Sequence, residues 1–252
     1  MAKNDTRLME AADIARAIGL LTRLPLTDTD NSRGAAAVWA YPLVGLIVGG
    51  LAAMTGTIAH WLGLPPALSA LLSLATLIVL TGAMHEDGLA DTADGFWGGW
   101  TREARLEIMK DSHIGTYGVI ALILATAARW SALWLLFQAG PGVAGAGLIV
   151  SAALSRATMP TLMAYLPHAR PSGLSHSVGA PPKPAAWVAW AIAALLALLL
   201  TGVAAFGLVV WAALMALVVA RLARRKIGGQ TGDILGACQQ IAEIAVLFSL
   251  LA

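Results

Sequence analysis

Seven apolar stretches, each about as long as the hydrocarbon core of a membrane is thick, dominate this 252-residue sequence. A helix needs roughly 20 apolar residues to cross about 30 Å of hydrocarbon. Because 58% of the residues are hydrophobic and only 12% are charged, there is too little polar surface to cover an ordinary soluble domain. The sequence therefore predicts an all-α fold, a polytopic membrane bundle of about seven transmembrane helices that forms one domain over the whole chain. The predicted spans are residues 35–61, 66–84, 116–138, 142–166, 185–202, 206–221 and 233–252, with a weak break after the fifth at Gly202 to Gly207.

The basic residues predict the orientation of this bundle. Only Arg129 and Arg156 lie well inside predicted spans; every other Lys and Arg falls at or near ends that share one side of the membrane. By the positive-inside rule that side, which includes the N-terminus, is the cytoplasm. Residues 1–34 are polar and contain an amphipathic pattern. This pattern is typical of a helix on the membrane surface, and a short soluble helix that caps the bundle fits it equally well.

An acidic segment, HEDGLADTADG, follows the second apolar stretch. On a helix, Asp87, Asp91 and Asp94 project from one face within an arc of about 60° and span roughly 10 Å. Like charges on one face repel each other, so a cation is expected among them. Carboxylate oxygens without a nearby cysteine favour Mg²⁺ or Mn²⁺ over zinc. We therefore predict metal ligands at Asp87, Asp91 and Asp94, with His85 as a weaker candidate; the alternative is a solvated acidic helix.

Magnesium bound by few protein carboxylates keeps coordination sites for substrate phosphates, so a diphosphate is the expected ligand. Arg105 and Lys110, which follow the acidic segment, could neutralise its oxygens, and Asp111 could add another carboxylate. A surface helix with internal ion pairs explains the two basic residues equally well.

A second polar turn, KIGGQTGD, precedes the last apolar stretch. Thr231 and Asp233 stand where a helix should begin, and a helix N-terminus attracts phosphate, so both are candidate substrate-binding residues. A plain N-cap is the simpler explanation of this pair. The topology brings Asp233 to the same membrane face as Asp87.

Three further features remain open. Arg156 could form the floor of a site or pair with Glu243 as a structural bridge, because charges inside spans are costly unless paired. The loop that contains His168, Arg170 and His176 could be a mobile lid or a connector. Cys238 is the only cysteine, so the chain has no internal disulfide.

Several motifs together resemble the cobalamin synthase family, the adenosylcobinamide-GDP ribazoletransferases. They occur in the family's order over nearly the whole chain. The matching segments are LLTRLP at 20–25, YPLVG at 41–45, HEDGLADTADG at 85–95, LEIMKDSHIGTYG at 106–118 and GGQTGDILGA at 228–237.

This resemblance implies a reaction in which adenosylcobinamide-GDP and α-ribazole, or its 5'-phosphate, give adenosylcobalamin or its phosphate with release of GMP and dependence on Mg²⁺. It implies that Glu86, Asp87, Asp91 and Asp94 hold one or two Mg²⁺ on the diphosphate and that Asp94 or Asp111 accepts the hydroxyl proton. It also implies a bacterial cytoplasmic membrane, with the active site facing the cytoplasm. We expect the lipid bilayer as a partner and no nucleic acid, and a homodimer is left open.

Other functions remain as alternatives. A membrane prenyltransferase could use aspartates one helical turn apart to hold Mg²⁺ on an allylic diphosphate. The CDP-alcohol phosphotransferases share an Asp-Gly signature, but Asp91 stands here where those enzymes have Ala-Arg. An ion transporter would use the charges inside the spans, although the sequence has no internal repeat of the kind that such transporters contain.

Overall fold

The computed structural model describes residues 8–25 and 31–252, and within these residues the chain is all-α, as predicted. Turns of 3-10 helix cover Asn31–Ala40 and Gly202–Ala204. The α-helices are α1 Ala12–Leu21, α2 Tyr41–Trp61, α3 Pro66–Thr81, α4 Met84–Gly98, α5 Arg102–Ile108, α6 Thr116–Ala139, α7 Pro141–Tyr165, α8 Leu174–Val178, α9 Lys183–Thr201, α10 Ala205–Ile227 and α11 Gly232–Ser249.

Helix α7 is the centre of the bundle and contacts α2, α6, α9, α10 and α11. Its contact with α2 is very close, because a Cβ added at Gly45 would collide with the Ala152 carbonyl oxygen. Small residues permit such close approach between helices in a membrane, where van der Waals packing rather than the hydrophobic effect holds helices together. The sequence of α2 and α7 is thus suited to a packed membrane core.

Four described segments are long and apolar enough to cross a membrane by length and composition: Arg33–Trp61, Thr116–Ala139, Pro141–Tyr165 and Lys183–Ile227. The last contains both α9 and α10, which are separated at Gly202, where the sequence predicted a weak break. Trp187 near the start of α9 and Ala220 near the end of α10 line the same groove, so the two helices run antiparallel. The multi-span helical bundle is confirmed, while the number of seven spans stays a prediction.

The predicted second span ends earlier than expected. Helix α3 stops at Thr81, and α4 leaves it at an angle of 85°. Gly82 and Ala83 both adopt left-handed backbone angles, with φ of 63° and 57°, and their amides bond to the carbonyls of Val79 and Ile78. This is the usual way to end a helix, and it turns the acidic segment away from the axis of α3.

The N-terminal helix α1 is docked on the bundle. Asp13 is fully buried, where its carboxylate accepts hydrogen bonds from Trp39 Nε1 at 2.8 Å and from Arg33 Nε at 2.9 Å. Burial alone would raise the pKa of Asp13, but these hydrogen bonds and one from Arg16 outweigh it and lower the pKa. The contacts favour a capping helix over one that lies free on the membrane surface.

Candidate active site

The acidic segment forms helix α4, as its spacing predicted. Asp87 is exposed, Asp91 is partly exposed and Asp94 is buried. Asp91 lies within electrostatic range of both Asp87 and Asp233. We call Asp87, Asp91 and Asp233 the acidic ridge. Its three carboxylates belong to two helices that are far apart in the sequence.

Two glycines bring α11 against α4. A Cβ added at Gly88 would lie 2.8 Å from the Asp233 carbonyl oxygen, and one at Gly236 would lie 3.2 Å from the His85 Cα. A larger residue at either position would push the helices apart. The close contact therefore depends on glycine, and it places Asp233 beside Asp87.

Hydrogen bonds fix the direction of the Asp233 carboxylate. Its Oδ2 accepts from Thr231 Oγ1 at 3.1 Å and from Arg170 Nη2 at 3.2 Å. Thr231 also caps α11 by accepting from the amide of Ile234 at 3.3 Å. Thr231, a predicted substrate-binding residue, is therefore a buried N-cap that orients Asp233.

Asp94 does not stand free beside Asp91. Its two oxygens accept the backbone amides of Gly115 at 2.7 Å and Gly118 at 2.9 Å, so it caps the beginning of α6. Asp94 as a residue is 7% exposed, and a Cβ on either glycine would collide with its carboxylate. The expectation that Asp94 is a metal ligand and proton acceptor conflicts with this use. The glycines in HIGTYG were the available sequence signal for the contact.

Glu86 faces the interior of the bundle. Its Oε1 lies 2.7 Å from Arg129 Nη1 and accepts from Gln240 Nε2 at 3.2 Å. Arg129 Nε lies a further 2.9 Å from Glu243 Oε1. The structure therefore directs Glu86 away from the acidic ridge, because neighbouring residues on a helix point about 100° apart.

The partner proposed for Glu243 also changes. Glu243 pairs with Arg129 rather than with Arg156. The Arg156 guanidinium instead donates to the Ala152 carbonyl at 3.1 Å from a fully buried position. The two arginines and two glutamates balance in charge, which makes their burial tolerable.

The basic residues of α5 contact backbone rather than the acidic ridge. Arg105 Nη1 donates to the Lys226 carbonyl at 3.1 Å, and Arg102 donates to the Ile227 carbonyl at 2.8 Å. Both carbonyls belong to the last turn of α10, where cationic groups are favourable. Lys110 is exposed. The structure therefore does not bring Arg105 and Lys110 to the ridge as phosphate ligands.

Asp111 lies on an exposed turn. Its Oδ1 contacts His113 Nδ1 at 2.8 Å and accepts the His113 amide at 3.1 Å. These bonds from His113 hold the pKa of the Asp111 carboxyl below its ordinary value. A carboxylate with a lowered pKa is a weaker proton acceptor, so Asp111 is poorly suited to the predicted role of general base.

Arg170 is the site residue that sequence reasoning did not assign. It belongs to the loop between α7 and α8, and besides its bond to Asp233 it has a buried Nη1 without a partner in the described part of the chain. The loop is held in place by Gln230, which bonds to the backbone of Pro167 and Ala169. Only these tertiary contacts identify Arg170, because nothing in PHARPSG points to Asp233.

A cavity of about 220 Å³ opens beside the ridge and is bordered by Asp87, Arg170 and Asp233. Its inner wall is mainly apolar and includes Tyr41 and Met159. Ligand sites typically combine such apolar walls with a few polar groups. The ridge and the cavity together form the candidate active site.

The described part of the chain contains no preformed metal cage. Across residues 8–25 and 31–252, no three His, Cys, Asp or Glu side chains converge closely enough to hold an ion. Magnesium, however, is commonly held by one or two carboxylates together with substrate phosphates. Asp87 and Asp91, one helical turn apart and not fully buried, fit that mode of binding.

Comparison with known proteins gives a consistent result. The family model described as cobalamin-5-phosphate synthase matches residues 13–251. The chain is 48% identical over 241 residues to an adenosylcobinamide-GDP ribazoletransferase of Bradyrhizobium diazoefficiens, with 94% of this chain and 92% of the relative covered. A protein of the same name from Sinorhizobium medicae is 44% identical over 256 residues, with 94% and 95% covered. No solved structure matches the chain. The chain, with its two-helix acidic ridge, belongs to the cobalamin-5-phosphate synthase family.

Proposed function

We propose that the chain transfers the adenosylcobinamide-phosphate moiety of adenosylcobinamide-GDP to α-ribazole or α-ribazole 5'-phosphate. A ribose hydroxyl oxygen forms a bond to the phosphorus attached to cobinamide. The bond from that phosphorus to the oxygen of GMP breaks, and GMP leaves with the electron pair. The products are adenosylcobalamin or its 5'-phosphate, and GMP.

The single observation that carries the proposal is the meeting of α4 and α11 at one cavity. Asp87, Arg170 and Asp233 border that cavity, and the buried Nη1 of Arg170 has no hydrogen-bond partner among the described residues. A site for diphosphate cleavage needs negative groups that hold a metal, a cation for the phosphate and a space for the acceptor. The family membership adds the identity of the substrates.

Asp87 and Asp91 are the residues that would hold Mg²⁺. When bound, the ion would supply positive charge to the diphosphate oxygens and to the leaving GMP. The two carboxylates are hard oxygen ligands on neighbouring turns of α4, and the closeness of Asp233 increases their need for a counter-ion.

Arg170 and Asp233 would act on the substrates directly. The free Nη1 of Arg170 can donate to a phosphate oxygen while Nη2 stays bonded to Asp233. Asp233 Oδ2 is held by Thr231 and Arg170, which leaves Oδ1 to accept the proton of the ribose hydroxyl. These roles replace those expected of Arg105, Lys110, Asp94 and Asp111.

The proposed location is the cytoplasmic face of a bacterial inner membrane. The loop with Arg170, the last turn of α10 with its basic residues and the beginning of α11 meet at one end of the bundle. The positive-inside rule assigns that end to the cytoplasm.

Turnover by the purified protein tests the function. The protein in lipid nanodiscs is given adenosylcobinamide-GDP, α-ribazole 5'-phosphate and Mg²⁺, and GMP and the corrinoid product are measured by mass spectrometry. We expect equal amounts of both, and neither when α-ribazole phosphate or Mg²⁺ is omitted. Release of GMP without the acceptor, or turnover of a prenyl diphosphate instead, would count against the proposal.

A further inference from the structure

The cavity beside the acidic ridge has two parts of different chemistry. Its charged lining residues, Asp87, Arg170 and Asp233, are exposed or partly exposed, and we call this part the mouth. The apolar lining, which we call the inner wall, comes mainly from α1, α4, α7 and α11. Representative members are Leu20, Leu21, Met84, Met159, Met163 and Leu235. An occupant should therefore have a polar end near the carboxylates and an apolar end inside.

One polar side chain on the inner wall, that of His85, makes no hydrogen bond within the described part of the chain. His85 is 1% exposed, and neither of its ring nitrogens has a hydrogen-bond partner among the described residues. A buried imidazole without a partner costs free energy, so such a group normally has a water or a ligand to bond. His85 borders the cavity, but its ring nitrogens are buried, so a bound molecule reaches them only when the imidazole turns toward the cavity.

We propose that this cavity holds the aromatic base of the acceptor nucleoside, a benzimidazole, and that His85 hydrogen-bonds the free ring nitrogen of that base. The inference rests on the proposed function and adds a binding site for one of its two substrates. It makes His85 a specificity residue rather than a metal ligand.

The volume of the cavity fits the base of the acceptor better than the corrin ring of the other substrate. At about 220 Å³ it is smaller than the roughly 300–1,000 Å³ of a site for a whole drug-sized ligand, so a corrin ring cannot enter. A bicyclic aromatic ring is of the right order. Guanine is also bicyclic, but it has several donors and acceptors that an apolar wall would leave unpaired.

The chemistry of the wall fits a flat apolar ring. Met84, Met159 and Met163 contribute flexible thioethers, which adapt to a ring and make favourable contacts with aromatic edges. A base bonded to ribose through one nitrogen has one other ring nitrogen free, and it matches the single unpartnered imidazole. With the base inside, the ribose lies at the mouth beside Asp233, which is the proposed proton acceptor.

Filling the cavity is the first test. Gly232 borders the cavity, and a Cβ added there meets nothing within 4 Å. The series Gly232→Ala and Gly232→Leu should therefore place increasing volume inside without a backbone clash. We expect Gly232→Leu to raise KM for α-ribazole at least about tenfold, while KM for adenosylcobinamide-GDP changes less than about twofold. Gly142→Leu is the matched control, because Gly142 is also in the first turn of a helix with nothing within 4 Å.

Removing the hydrogen bond is the second test. The probes are α-ribazole and an analogue in which a C–H replaces the free ring nitrogen. Wild-type protein should prefer α-ribazole by a factor of about ten or more, and His85→Leu should reduce the preference to near one. His85→Gln retains a donor and should keep part of the preference. A His85 with a purely structural role would change the turnover of both acceptors equally.

Binding of α-ribazole, measured without turnover, tests the cavity independently of the proposed function. Titration of α-ribazole into wild-type protein and Gly232→Leu, without corrinoid, is measured by calorimetry. Binding that is lost in Gly232→Leu supports the cavity even if no turnover occurs, in which case only the proposed function fails. Equal ribazole binding by both proteins, or a His85→Leu variant that is folded and fully selective, would overturn the cavity assignment.

Discussion

The Arg129 guanidinium lies 2.7 Å from the Glu86 carboxylate, one residue before Asp87 on the site helix. Glu86→Ala should remove one member of a buried, charge-balanced group and destabilise the protein by about 3–5 kcal/mol. Thermal unfolding in detergent measures this, with Glu86→Gln as the milder comparison because it keeps a hydrogen-bond acceptor. The Mg²⁺ concentration for half-maximal turnover should stay unchanged in Glu86→Gln. A stable variant with a raised Mg²⁺ requirement would restore Glu86 as a metal ligand.

The contact between Gly88 and Asp233 predicts an unusual response to alanine. Alanine normally stabilises a helix relative to glycine by about 0.5–1 kcal/mol. At Gly88, however, the new methyl group would lie 2.8 Å from the Asp233 carbonyl oxygen and should destabilise by about 1–3 kcal/mol. Activity should fall further than stability, because the shift would move Asp233 from Asp87.

Gly50→Ala is the control for this change. A Cβ at Gly50 meets nothing within 4 Å, so this variant should be as stable as wild type or more stable, with normal turnover. Unfolding temperature and initial rate are compared for the two variants. Normal activity of Gly88→Ala would mean that the site does not depend on the close approach of α4 and α11.

These helices also show what the sequence could and could not predict. Hydropathy alone predicted an all-α membrane bundle, because backbone groups in lipid must bond within a helix. Helical spacing predicted that Asp87 and Asp91 share a face. The roles of Glu86 and Asp94 could not be predicted in this way, since they depend on Arg129 and on the amides of α6, which are distant in sequence.

The charge of a side chain predicts its role in the site less well than its position in the fold does. Arg105 and Arg170 are both arginines in polar segments near the site. Arg105 bonds to a carbonyl of α10, and Arg170 reaches Asp233. No local pattern distinguishes them, because the difference arises from the packing of the loop after α7 on the turn before α11.

Asp91 and Asp111 should respond differently to the same substitution. Asp91→Asn preserves the size of the side chain but removes an anionic ligand, so the Mg²⁺ concentration for half-maximal turnover should rise at least about tenfold. Asp111→Asn, on its exposed turn with His113, should leave that concentration unchanged. Initial rates over a magnesium titration measure both, with EDTA-treated protein as the starting point. Equal responses of the two variants would contradict the assignment of the ridge.

The loop that carries Arg170 should loosen in acid. Gln230 Nε2 lies 2.9 Å from His168 Nδ1, and Gln230 Oε1 accepts from Ser175 Oγ, so Nδ1 must act as the acceptor. Burial, followed by the charge of the neighbouring His176, lowers the pKa of His168 below its ordinary value of 6.5. As the pH falls, His168 is therefore protonated at a higher pH in the undocked loop, where its pKa is ordinary, than in the docked loop. The docked loop is fully stable above pH 6.5, and that stability is lost as the pH falls from 6.5 through the lowered pKa.

Hydrogen exchange over residues 168–178, corrected for the intrinsic effect of pH, measures this loosening between pH 7.5 and 5. Wild-type protein should lose protection as the pH falls. His168→Gln should have the same protection at both ends of the range, because a glutamine has no proton to gain. His113→Gln, which changes an exposed histidine, should behave as wild type. Protection that falls equally in His168→Gln would mean that another group, rather than the bond between His168 and Gln230, controls the position of Arg170.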